Sequence, residues 1–109
     1  MRTTVDYLDA LKAKLGLPSD YAAAKLLGVT RSAASRYRTG VSTFDDEVAV
    51  RVAELLEINP LEVIFALRAE RAANEDARTR WEGYWENFSQ SFLSPVSRAD
   101  ARQLSLWPV

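Results

Sequence analysis

A chain of 109 residues, 48% of them hydrophobic, has room for one compact core and one domain with an appendage, but not for several domains. It contains no cysteine and no histidine, which excludes disulfides and thiolate zinc sites and removes the commonest general base and metal ligand. With no run of about 18 apolar residues and no apolar leader after Met1, the expectation is a cytoplasmic, non-enzymatic protein without cofactor, metal or membrane contact.

The first predicted helix starts at a Thr3 or Thr4 cap and reaches about Leu15. Val5, Leu8, Leu11 and Leu15 form its apolar stripe and Tyr7 sits at the edge. Lys12 and Lys14 fall late in this helix, where its dipole favours cations, and read as solvated side chains. Gly16 stops the helix, and Leu17-Pro18 leads to the next cap.

Ser19 to Gly40 holds the informative stretch: two short helices around a tight turn. Ser19 caps the first, Ala22 to Leu27 favour helix, and Gly28 stops the run as a residue able to take positive φ. Val29 follows as an apolar plug, and Thr30 caps a second helix that ends by Gly40. Ala24, four residues before Gly28, is small enough to let the two helices approach. At about 100° per residue, Arg31, Ser35 and Thr39 line up, flanked by Ser32 and Arg36, while Ala33, Ala34 and Tyr37 turn to the other side. A front of Arg, Ser, Ser, Arg and Thr suits a major groove: arginine forks onto guanine, and short hydroxyl side chains permit close approach. The bland alternative is a three-helix bundle in which Gly28 merely turns the chain. Charge points the same way as the motif. Residues 1–40 carry seven basic and three acidic side chains, residues 41–66 one basic and six acidic, and residues 67–109 six of each. Phosphate affinity depends on local field, so an overall charge of −1 does not argue against a polyanion partner.

Ala24, Gly28, Val29, Thr30, Ala34 and Tyr37, with Ser35-Arg36-Tyr37 before Gly40, resemble the helix-turn-helix of Cro- and lambda-repressor-type proteins. They match that family's small residue, turn glycine, apolar plug, recognition-helix cap and inward positions. The resemblance implies an all-α, five-helix DNA-binding domain. It places Arg31, Ser32, Ser35 and Arg36 toward bases, and Tyr21, Thr30, Arg38 and Thr39 toward phosphates. Two departures stand out: Ala34 replaces a branched aliphatic residue, and Asp20 stands near an expected phosphate contact.

After Gly40, Ser42 with Asp45 or Thr43 with Asp46 makes a capping-box pattern before a helix from about Phe44 to Leu56. The consecutive carboxylates Asp45, Asp46 and Glu47 point round that helix and do not suggest a metal or nuclease site. Asn59 caps a fifth helix with Pro60 in its first turn and Glu62 reaching back, and Leu61, Ile64, Phe65 and Leu67 close the core. Residues 1–66 thus form the expected DNA-binding domain, and 67–109 an extension.

In the extension, Arg68 to Arg80 reads as a solvated helical neck, broken near Asn74. Trp81, Tyr84, Trp85, Phe88 and Phe92 then fall on one side of a helix. Such a stripe, at about 150–250 Å² per ring, is rarely left in water. Three uses compete: the interface of a homodimer, added core for the same domain, or a contact with another protein, as in the antitoxin half of a toxin pair, or with a membrane surface, which the mixed flanking charges disfavour. Residues 93–109 read as irregular, with Leu104, Leu106 and Trp107 alternating as in an extended strip. The overall expectation is a homodimeric, phage-type repressor reading a palindromic operator.

Overall fold

The N-terminal helix α1 (Thr4–Leu15) begins with a reciprocal cap. The Asp6 amide donates to Thr3 Oγ1 at 3.3 Å, and the Thr3 amide donates to Asp6 Oδ2 at 2.9 Å. Gly16 ends it in the left-handed region at φ 64°. The computed structural model describes residues 2–93, with side chains described for residues 2–89. Phe92 and the strip Leu104, Leu106 and Trp107 therefore lie outside the described side chains. Within the described residues the chain is entirely helical: α1 is followed by α2 (Asp20–Leu27), α3 (Arg31–Arg38), α4 (Asp46–Leu56), α5 (Pro60–Glu70) and α6 (Glu75–Leu93).

Helices α1 to α5 enclose a core of Leu8, Leu11, Ala23, Leu27, Tyr37, Phe44, Val48, Val52, Val63 and Leu67, among others. The apolar stripe of α1 is rotated from its expected position. Tyr7, expected at the edge, is fully buried, whereas Leu15 is 39% exposed. The reason is α6, which packs on α5 and reaches α1: Trp85 Nε1 donates to the Tyr7 hydroxyl at 3.4 Å. The Tyr7 hydroxyl in turn donates to Glu62 Oε2 at 3.5 Å. Burial raises the pKa of both the Tyr7 hydroxyl and the Glu62 carboxyl. Glu62, expected to reach back to its own helix cap, is buried toward Tyr7 instead. Asn59 caps α5 without it, accepting from the Leu61 amide at 2.9 Å.

Two boundaries also move. Helix α4 starts at Asp46, and Asp45 is its cap, accepting from the Val48 amide at 2.8 Å; neither Ser42 nor Thr43 fills that role. Phe44 precedes the helix and plugs the core, meeting the Tyr37 ring edge-on at 4.9 Å. Asp46 pairs with Arg68 at 3.4 Å and Arg71 at 3.8 Å, tying the start of α4 to the end of α5. Helix α5 stops at Glu70, whose Oε1 accepts from the Thr4 amide and hydroxyl, each at 2.9 Å. The expected neck is helical at both ends and broken by a turn over residues 71–74, and Asn74, at the expected break, caps α6 by accepting from the Ala77 amide at 2.8 Å.

The aromatic stripe folds onto α5 of the same chain. Phe65 is its centre, with ring centroids 6.0 Å from Trp81, 5.9 Å from Tyr84 and 6.0 Å from Phe88. Core closure, expected near Leu67, extends to Trp85, which packs against the main cluster. Tyr84 stays 48% exposed.

Candidate nucleic-acid interface

Helices α2 and α3 are joined as the local sequence dictates. Ser19 Oγ accepts from the Ala22 amide at 3.1 Å, and Thr30 Oγ1 accepts from the Ala33 amide at 3.0 Å. Between them Gly28 takes φ 72°, a conformation costly for residues with a Cβ, and its amide reaches back to Ala24 and Lys25. Ala24 is buried, so the small side chain lies inside the helix pair.

Helix α3 has two unlike sides. Ala34 and Tyr37 are buried and Ala33 is half-buried, which fixes the helix from behind. Arg31, Ser32, Ser35 and Arg36 are all exposed. Among the described residues neither Arg31 nor Arg36 has a carboxylate partner. Two guanidiniums with unspent charge therefore share one polar face with two small hydroxyls. That arrangement can fork onto base edges and cannot perform acid–base chemistry.

The residues expected at phosphates occupy four different situations. Tyr21 is exposed in the first turn of α2. Thr30 uses its oxygen as a cap acceptor, which leaves the hydroxyl proton for an outside acceptor. Thr39 donates its hydroxyl back to the Ser35 carbonyl at 3.1 Å. Arg38 is engaged inside the protein: Nε donates to Asp20 Oδ2 at 2.9 Å, and Nη2 donates to Asp20 Oδ1 at 2.8 Å and Asp9 Oδ1 at 2.7 Å. Lys12 adds a bond to Asp20 at 3.0 Å. One guanidinium thus joins α3 to both α1 and α2. Lys12 and Lys14, expected in solvent, are both paired; Lys14 binds Glu57 and the Leu56 carbonyl, each at 2.9 Å.

Hydrogen bonds from Arg38, then from Lys12, hold the Asp20 carboxyl down at about 2 against an ordinary value of 3.8. A depressed folded-state pKa adds stability that is present above the unfolded value and lost as pH falls from about 4 to about 2. Over that window the melting temperature of the native chain should fall more steeply than that of Asp20→Asn. Parallel slopes in an acid melting series would show that Asp20 is not held by this network in solution.

Two further cations belong to this end of the molecule and were not singled out by the sequence motif. Lys25 Nζ lies 4.8 Å from the Tyr21 ring centroid, and Arg51, the one base in the acidic middle segment, donates to the Leu26 carbonyl at 3.2 Å. The isolation of Arg51 among carboxylates was the available signal. Away from this face the acidic run is spent on structure, Asp45 as a cap and Asp46 as an ion-pair partner. Among the described residues no group of three or more acidic side chains could hold a metal ion, and no helix is long and apolar enough to cross a membrane.

A helix-turn-helix family model matches residues 8–63, from α1 into α5. The chain belongs to the Cro- and lambda-repressor-type helix-turn-helix family. As a family member it is a DNA-binding protein of the regulator type. It is similar to an uncharacterized protein, Gp-c, of Pseudoalteromonas phage PM2. The two are 31% identical over 83 residues, which covers 72% of this chain and 90% of the phage protein. That likeness to a phage protein agrees with a phage-type helix-turn-helix regulator. A match of that extent is longer than residues 8–63, so the similarity reaches beyond the stretch that the family model matches. No solved structure matches the chain.

Proposed function

We propose that this helix-turn-helix protein is a cytoplasmic, phage-type repressor that binds a palindromic operator as a homodimer. Each copy would set α3 in a major groove, the two grooves lying about 34 Å apart on one face of the duplex. Arg31, Ser32, Ser35 and Arg36 would meet base edges. Thr30 and Thr39 would line the flanking phosphates, with Lys25 beside them. The observation that carries this reading is the exposed front of α3, whose two arginines have no carboxylate partner among the described residues. Repression would act by occluding the promoter.

The dimer contact is best sought on the outer side of α5 and α6. Among the described rings of the stripe Tyr84 is the most exposed, and Leu61 is 38% exposed one turn before Phe65. Trp81 and Phe88 would contribute their outer edges. Trp85 faces Tyr7 and would contribute less.

Sedimentation of the purified chain, combined with binding to a full palindrome and to its half-site over a salt series, tests this reading. A dimer is expected, binding the palindrome far more tightly than the half-site. Its affinity should fall by about 0.9 log units per phosphate neutralised for each tenfold rise in salt. A monomer that binds both DNAs equally would contradict the dimer. An affinity independent of salt would mean that the basic helix pair does not face DNA.

A further inference from the structure

We propose that Tyr21 is a positioning residue for Arg31, acting through its ring and not through its hydroxyl. This rests on the reading of α3 given above and adds to it the device that readies one of its base-reading side chains. Tyr21 is 44% exposed in the first turn of α2, so the hydrophobic core does not account for its presence. Its ring carries two cations from two helices. Lys25, one turn further along α2, places Nζ 4.8 Å from the ring centroid, and Arg31, the first residue of α3, places Cζ at 5.1 Å. Both lie within the reach of about 6 Å over which a ring quadrupole attracts a cation.

For Arg31 this is the one partner among the described residues, because it takes part in no described hydrogen bond or ion pair. An exposed arginine at the start of a helix otherwise samples many rotamers, and fixing one of them on binding costs affinity. The ring on the neighbouring helix narrows that choice before DNA arrives. A guanidinium is planar and can rest on an aromatic face while its N–H edge stays open. Tyr21 therefore holds Arg31 without occupying the donors that a guanine needs. The rival role for Tyr21 is a hydroxyl contact to phosphate, and the two roles depend on different atoms.

The test measures binding to the selected operator and to random duplex of equal length for Tyr21→Phe, Tyr21→Leu, Arg31→Ala and the double variant Tyr21→Leu with Arg31→Ala. Melting curves for each variant monitor the fold. Tyr21→Phe keeps the ring and should bind like the native chain. Tyr21→Leu should lose about two- to fivefold on the operator, little on random duplex, and nothing further in the Arg31→Ala background. If Tyr21→Phe loses as much as Tyr21→Leu on both DNAs, the hydroxyl contacts phosphate and the proposal is overturned. A Tyr21→Leu loss that persists without Arg31, or no loss at all, also overturns it. If Arg31→Ala itself binds operator normally, the reading of α3 fails first and takes the proposal with it.

Discussion

Replacing Trp81 and Trp85 together with alanine should unfold the domain at a lower temperature, and not merely separate two copies. Trp85 packs against the main core and donates to Tyr7, a residue with no exposed surface. Trp81 packs at a tilt against Phe65, centroids 6.0 Å apart, and meets Tyr84 at 5.6 Å. Truncating a buried tryptophan to alanine costs about 3–5 kcal/mol, and these two are half-buried, so a joint loss of about 3 kcal/mol or more is expected. For a chain of this size that lowers the melting temperature by about ten degrees or more. The buried Tyr7 hydroxyl would also lose its donor, Trp85 Nε1, while still donating to Glu62, which adds to the cost. Tyr84→Ala should behave differently: its ring is largely outside the core, so the melt should shift little and self-association should weaken. A double tryptophan variant that melts like the native chain while losing its dimer would return the stripe to the interface role alone.

The second large effect concerns DNA. Arg31→Ala and Arg36→Ala should each cost about 1–3 kcal/mol on the operator and relax preference at one base position per half-site. Both side chains project from α3 into solvent, so the fold should survive either change. Arg38→Ala should show the opposite pattern. Its guanidinium joins α3 to Asp9 and Asp20, so its loss should lower the melting temperature and weaken discrimination between operator and random duplex. The salt slope should stay unchanged, because a residue neutralised by two carboxylates displaces no counterion from DNA. Equal losses for Arg31→Ala or Arg36→Ala on operator and random duplex would move that arginine to the phosphate contacts.

Much of the helix-turn-helix could be read from single residues, because its determinants are local. Ser19 and Thr30 cap as side chains that bond three residues ahead, and Gly28 is needed for a left-handed turn. The polar front of α3 follows from helical periodicity alone. What could not be read depends on partners distant in the chain. Tyr7 looks like an edge residue until α6, whose Trp85 is 78 positions away, covers it. From the motif alone Arg38 reads as a phosphate contact, and its pairing with Asp9 and Asp20 becomes visible only once α1 and α2 are packed against α3. The start of α4 is harder to read for a subtler reason. Ser42, Thr43 and Asp45 are all competent caps, and burial of Phe44 selects Asp45 by keeping the preceding residue out of the helix. Glu62 illustrates the same limit: a carboxylate at the third position of α5 can reach back to its cap or turn inward, and only the neighbouring Tyr7 decides.

Selection of bound sites from random duplex DNA, carried out in parallel with the native chain and Arg36→Ala, tests most directly whether α3 reads DNA. The native chain is expected to enrich a two-fold symmetric site with half-sites one helical turn apart, and Arg36→Ala to enrich the same site with preference lost at one base in each half. No enriched site with the native chain, or identical sites from both proteins, would contradict the assignment of base reading to this face.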